Sequence, residues 1–313
     1  MRVGLLIPTL NAGPRWADCL AALQRQSRQP DQILIIDSGS SDQTVPQALA
    51  AGLPVMTIAP CDFDHGGTRN LGVERLADCD VVVCLTQDAI LADADALKHL
   101  LASFDDAAVA LAFGRQLPHD DATPIAGHAR QFNYPAQSRV VRLDDRVTLG
   151  LKAAFASNSF AAWRRSALAA VGGFPAHTLF GEDTQCAAHL LLRGWHIAYV
   201  ANARAFHSHN YGWLEEFRRY VDIGALHALQ PWLLESFGHP EGEGMRFVRS
   251  EYAALRASGW RWRIRGLMQS SAKLLGYRVG KLLPSLPPAI ATRLSSQPRW
   301  WRKRATEKTS VPQ

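Results

Sequence analysis

Five apolar runs, alternating with four segments of helical spacing, set the strongest limit on what the first third of this chain can fold into. The runs are Arg2–Leu10, Gln32–Ser38, residues 54–59, residues 80–89 and residues 108–116. Between them lie residues 14–26, 44–52, 68–77 and 94–104, with apolar positions every third or fourth residue. Trp16, Leu20 and Leu23 mark one such face, Pro14 suits a helix start, and Gly52 suits a helix end. Strands that are apolar on both faces and alternate with helices predict a mostly parallel, twisted sheet with helices on both sides. Ligands of such sheets bind beyond the carboxyl ends of the strands, so the polar residues there are the ones to examine.

The pattern loosens from Pro118 to Leu151, where polar and turn residues predict a long, functional excursion. Helix and strand signals return through residue 212, and the remainder is predicted helical as far as Leu283, where Pro284, Pro287 and Pro288 interrupt it. We expect a catalytic domain over 1–212, with a nucleotide-binding half (1–117) and an acceptor half (118–212). A basic helical region (213–304) and a disordered tail (305–313) would follow. Charge supports the division. Residues 252–306 hold 12 Lys/Arg and no Asp/Glu, whereas the rest of the chain holds 22 basic and 28 acidic residues. A basic, Trp-rich tail on an acidic body suits an anionic lipid surface at least as well as nucleic acid. Five cysteines without a C-x-x-C pair favour reduced cytosolic thiols. No run is long enough for a membrane span or shaped like a signal peptide.

The polar strand ends carry the chemistry. Pro8 and Thr9 end the first strand, and Asp37 ends the second, where its carboxylate could accept a hydrogen bond from a base N–H or simply begin a turn. The segment "DHGGTRN" reads as a Gly-rich turn into a helix capped by Thr68. Arg69 opposes the helix dipole there, so it calls for an anion: a phosphate, or a carboxylate such as Asp64. Gln87 and Asp88 end the fourth strand in "CLTQDAIL". The acids Glu182 and Asp183 start a helix, where they could cap it or where an ionised carboxylate could take a proton. His207 and His209 alternate on a predicted strand and so share a face, which suits a metal or a diphosphate. Trp163 and Arg164 could hold a sugar or phosphate, or open a helix.

Taken in order, "PTLN", "IDSGSSD", "GGTRNLG", "LTQDA", "SNSFAAWRRSALAAVGGF" and "GEDTQCAAHLLLRGWHIAYV" resemble glycosyltransferase family 2 over Val3–Tyr211. "HGGTRN", "LTQDA", "GRQLP" and "HSHNY" look most like its bacterial rhamnosyltransferases. The resemblance implies a GT-A fold, an inverting hexosyltransferase, a nucleotide-sugar donor, and Mg²⁺ or Mn²⁺. It assigns Pro8, Thr9 and Asp37 to the nucleotide, and Arg69, Asn70, Gln87 and Asp88 to the donor. Asp88 is the last acid of a D-x-D metal motif whose first acid is replaced by Thr86, so His207 or His209 must complete the site. Asp183 is assigned as the catalytic base. Asn158, Trp163, Arg164, Glu182 and His209 fall on the acceptor side or behind the first row. The resemblance further implies L-rhamnose from dTDP-rhamnose, a surface-glycan or lipid-linked acceptor, and a cytoplasmic enzyme peripheral to the inner face of the membrane. Another UDP- or GDP-sugar donor, or a pyrophosphorylase-like enzyme, is the alternative. The absence of G-x-G-x-x-G after the first strand argues against other Rossmann-like enzymes. Nucleic acid is not an expected partner.

Overall fold

Valine, isoleucine and leucine crowd the strand segments because a pleated strand buried on both faces has no solvent side to keep polar. The computed structural model describes residues 1–238 and 241–309. Nine strands among them form one sheet: β1 (Val3–Thr9), β2 (Gln32–Asp37), β3 (Val55–Thr57), β4 (Val81–Leu85), β5 (Ile90–Leu91), β6 (Val109–Leu117), β7 (Arg139–Val141), β8 (Phe160–Arg164) and β9 (His196–Phe206). Their order is β3-β2-β1-β4-β8-β6-β9-β5, with β7 also paired to β9. The β3-β2-β1-β4 portion is parallel, and β8 runs antiparallel to both β4 and β6. Since β2 lies on one side of β1 and β4 on the other, the chain reverses direction across β1. A crevice at the carboxyl ends of β1 and β4 is therefore the topological switch point.

Alternate residues of the central strands face opposite helical layers. Leu5, Ile7, Val81, Val83 and Leu85 join Trp16, Leu23, Leu97 and Leu100 in one buried cluster. On the other face the helix His65–Arg75 comes so close that a Cβ on Gly72 would lie 2.4 Å from Leu6 Cδ2. A Cβ on Gly66 would lie 2.0 Å from the carbonyl of Pro175. Gly66 and Gly72 are thus close-packing points, and Gly66 and Gly67, expected in a Gly-rich turn, lie inside the helix. Its cap is Asp64, whose Oδ1 accepts from Gly67 N at 2.6 Å, and the expected cap Thr68 is a buried helical residue.

The excursion after Pro118 contains the helix Pro124–Asn133 and strand β7. The chain divides into two compact units. Unit 1 comprises 1–121, 133–178 and 182–208, and unit 2 comprises 122–132, 179–181 and 209–313. In unit 2, Val221, Ala225, Leu283, Ala291 and Trp301 make a separate core. The last helix, Pro298–Thr309, continues past residue 305, where the tail was expected to begin; residues 310–313 lie outside the described residues. No helix among the described residues is long and apolar enough to cross a membrane.

Candidate active site

Parallel pairing sets Thr9 beside Asp37 at the carboxyl ends of β1 and β2. The Asp37 carboxylate accepts from Thr9 Oγ1 (2.9 Å), Ser40 Oγ (2.5 Å), Ser40 N (2.8 Å) and Gly39 N (3.0 Å). Burial pushes its pKa up, but these donors outweigh burial and hold it below the usual carboxylate range. Gly39 supplies the left-handed φ of 95° that folds the loop back over the acid. Across β1, Gln87 clamps the peptide of Leu10, accepting from its N–H at 2.8 Å and donating to its carbonyl at 3.1 Å. The crevice is thereby fixed on both sides of Pro8 and Thr9.

Asp88 follows β4, and its Oδ2 lies 3.5 Å from His207 Nε2. The other ring nitrogen of His207 meets Gln116 Oε1 at 2.9 Å. Gln116 uses its amide nitrogen to donate to Ser157 Oγ at 2.9 Å, so its oxygen is left as acceptor and His207 carries its proton on Nδ1. The lone pair on Nε2 then points toward Asp88, the arrangement that outer hydrogen bonds enforce on metal-binding histidines. His209 lies two residues along the chain, and one ligand atom each from Asp88, His207 and His209 fall within 4.8 Å of one another. One carboxylate and two imidazoles form a mixed nitrogen and oxygen donor set of the kind that binds divalent transition-metal ions. Both histidines lie beyond β9 rather than on it, although His207 N still donates to Leu117 O at 2.9 Å.

The second feature is a buried acid pair. Arg69 Nη1 lies 2.8 Å from Glu182 Oε1, with both side chains almost wholly enclosed. Glu182, rather than Asp64, is therefore the anion that Arg69 required. Asn158 ties the pair together: its Nδ2 donates to Glu182 Oε1 (3.2 Å), its backbone N–H to Asp183 Oδ2 (3.1 Å), and its Oδ1 accepts from Trp163 Nε1 (2.8 Å). Burial disfavours the Glu182 charge, but the Arg69 guanidinium prevails and keeps it ionised. Asp183 is the reverse case. Burial, and then the negative charge of Glu182, raise its pKa to about 7. Neighbouring titratable groups driven apart in this way define an acid-base site.

Other expected residues sit elsewhere. Asn70 is committed to the backbone of Phe174, donating to its carbonyl and accepting from its N–H, each at 2.8 Å. Trp163 is fully buried and packs edge-on against Phe174, so it offers no sugar platform. Arg164 pairs in register with Val81 at the far end of β4 and bonds the carbonyls of Phe104, Asp106 and Val109. Gln116 and Ser157 escaped the sequence reading, because only the fold sets them behind His207.

The strand-end crevice, the Asp88–His207–His209 group that could hold a metal ion and the buried acid pair lie in a fold whose class the relatives identify. This chain belongs to glycosyltransferase family 2: the family model described as Glycosyl transferase family 2 matches residues 5–172. It is an inverting, nucleotide-sugar-dependent glycosyltransferase with the GT-A fold. The chain is 47% identical over 302 residues to the O-antigen chain rhamnosyltransferase RfbN of Salmonella typhimurium strain LT2, with 96% of each chain covered. It is 45% identical over 298 residues to the O-antigen chain rhamnosyltransferase WbaN of Salmonella anatum, with 95% of each covered. Among solved structures, it is similar to the mannosyltransferase PcManGT from Pyrobaculum calidifontis, in complex with GDP-Man and Mn²⁺. That likeness has a TM-score of 0.57 at 16% identity and covers 99% of this chain and 87% of that one, which speaks to the fold alone.

Proposed function

We propose that the enzyme transfers L-rhamnose from dTDP-rhamnose to a hydroxyl of a growing surface glycan or lipid-linked acceptor, at the cytoplasmic face of the membrane. The near-full-length relatedness to two O-antigen chain rhamnosyltransferases supports the sugar and the acceptor class. The chemistry rests on one observation: Arg69 neutralises Glu182 and leaves Asp183 as the carboxylate of raised pKa.

Asp183, once ionised, takes the proton of the acceptor hydroxyl. The hydroxyl oxygen bonds to the anomeric carbon as the bond to the diphosphate oxygen breaks on the opposite face. A β-L-rhamnosyl donor then gives an α-linked product. Asn158 aims Asp183 through its backbone N–H and anchors Glu182 through its side chain. Arg69 and Asn70 act by holding the helix and its counter-ion in place. We assign Pro8, Thr9 and Asp37 to the nucleotide end of the crevice, and Gln87 and Asp88 to the sugar-diphosphate. Mg²⁺ or Mn²⁺ would be held by Asp88, His207 and His209, where it would offset the negative charge of the diphosphate.

Donor hydrolysis tested across dTDP-rhamnose, UDP-sugars and GDP-sugars decides the sugar. Preference for dTDP-rhamnose is expected, and preference for a UDP- or GDP-sugar overturns the rhamnose assignment. Asp183→Ala is expected to abolish transfer while keeping donor binding, and wild-type turnover in that variant would sink the base assignment.

A further inference from the structure

The helix Trp260–Leu282 in unit 2 is turned inside out relative to an ordinary surface helix. Its buried positions are Gly266, Gln269, Lys273, Gly276 and Gly280, spaced three or four apart along one side. Small residues are required there. A Cβ on Gly276 would lie 2.4 Å from the Phe217 carbonyl, and one on Gly280 would lie 2.0 Å from that of Val221. Its backbone thus lies directly against the helix Trp213–Leu229.

The opposite side follows the same spacing with large apolar residues. Trp260, Ile264, Leu267, Met268, Leu274 and Leu275 all face solvent, Leu275 at 58% exposure. No described residue buries this stripe, which runs on to exposed Leu282 and so is about 33 Å long at 1.5 Å per residue. Exposed Arg261 and Arg265 border it, Arg278 lies within it, and exposed Lys281 closes its far end. No acid occurs between Tyr252 and Thr306.

We infer that this face of Trp260–Leu282 is a docking surface for an anionic lipid bilayer, on which the helix lies in the interfacial plane. An apolar stripe edged with arginine and lacking acids matches an apolar acyl boundary beneath negative headgroups. Two copies meeting through the same face would oppose cation to cation, with no carboxylate on either helix to relieve them. Too few of its residues are apolar for it to span a bilayer. The assignment gives residues and an orientation to the membrane partner proposed above, but it does not depend on the sugar or the base.

Flotation of the full-length protein tests it, using vesicles of phosphatidylcholine alone or mixed with phosphatidylglycerol. Binding is expected only to the mixed vesicles and only at low salt. Leu274→Gln/Leu275→Gln and Arg261→Gln/Arg265→Gln should each reduce it about tenfold or more. All four residues are exposed, so thermal midpoints and donor hydrolysis in solution should match the wild type; this separates loss of docking from loss of fold or activity. The inference is overturned if the wild type fails to float with the mixed vesicles, or if the leucine variant floats as well as the wild type. It is also overturned if the wild type sediments as a dimer that the leucine variant dissociates while lipid binding is unchanged.

Discussion

Replacing Arg69 with methionine would strip the buried Glu182 of its cation. The two side chains are 8% and 7% exposed and 2.8 Å apart. At an effective dielectric constant of about 20, unit charges about 4 Å apart attract by about 4 kcal/mol. Deleting one partner of such a pair leaves the other charge buried, at a cost of about 3–5 kcal/mol. Arg69→Met should lose that much stability. Glu182→Gln should lose a comparable amount, about 3–5 kcal/mol, because it leaves the Arg69 guanidinium buried without its counter-ion. In the double variant no bare charge remains, so its loss should fall short of the sum of the single losses by about 2 kcal/mol or more. Urea unfolding of the four proteins, followed by circular dichroism, closes the cycle. Single losses that add to within about 0.5 kcal/mol would refute the claim that the two residues form one electrostatic unit.

Four further outcomes follow from the structure. As the proposed base, Asp183 must be ionised, so kcat/KM should fall as pH drops through about 7. Glu182→Gln removes the neighbouring charge that raises Asp183, so the acid limb should move to lower pH by about one unit or more; an unmoved limb would separate the two carboxylates. Gln116→Leu frees the Nδ1 side of His207 and should weaken Mn²⁺ binding about 10–100-fold by calorimetric titration, while unchanged affinity removes Gln116 from the metal edge. Gly280→Ala places a methyl group 2.0 Å from the Val221 carbonyl and should cost about 1–3 kcal/mol in thermal or urea unfolding, whereas an unchanged midpoint would mean that the helices can separate freely.

The sheet was legible because its strands are apolar on both faces, a pattern that few other folds demand. The placement of Asp37 and Asp88 at or just past the ends of strands, and of Asp183 at a helix start, was legible. What escaped the sequence depends on distance across the fold. The "GGTRN" glycines read as a turn because sequence does not reveal that the Pro175 carbonyl presses against Gly66 in a helix. Asp64 seemed a plausible partner for Arg69 because it is near in sequence, whereas Glu182 arrives from a remote segment. Trp163 and Arg164 looked like binding residues because aromatic and guanidinium groups bind sugars and phosphates. On β8 one is sealed in the core and the other faces the wrong end of the sheet. The histidine pair was found, but the strand beneath it ends one residue early, at Phe206.

The Arg69–Glu182 bridge also bears on how the chain is made. During synthesis Arg69 leaves the ribosome long before Glu182, and β8, which separates β4 from β6 in the sheet, also follows both of its neighbours. Until those later segments arrive, the early half holds a cation with no counter-ion and a sheet with a missing middle strand. A fragment ending before β8 should therefore keep an open sheet, and Arg69 should gain its counter-ion only when Glu182, next to the proposed base Asp183, has been made.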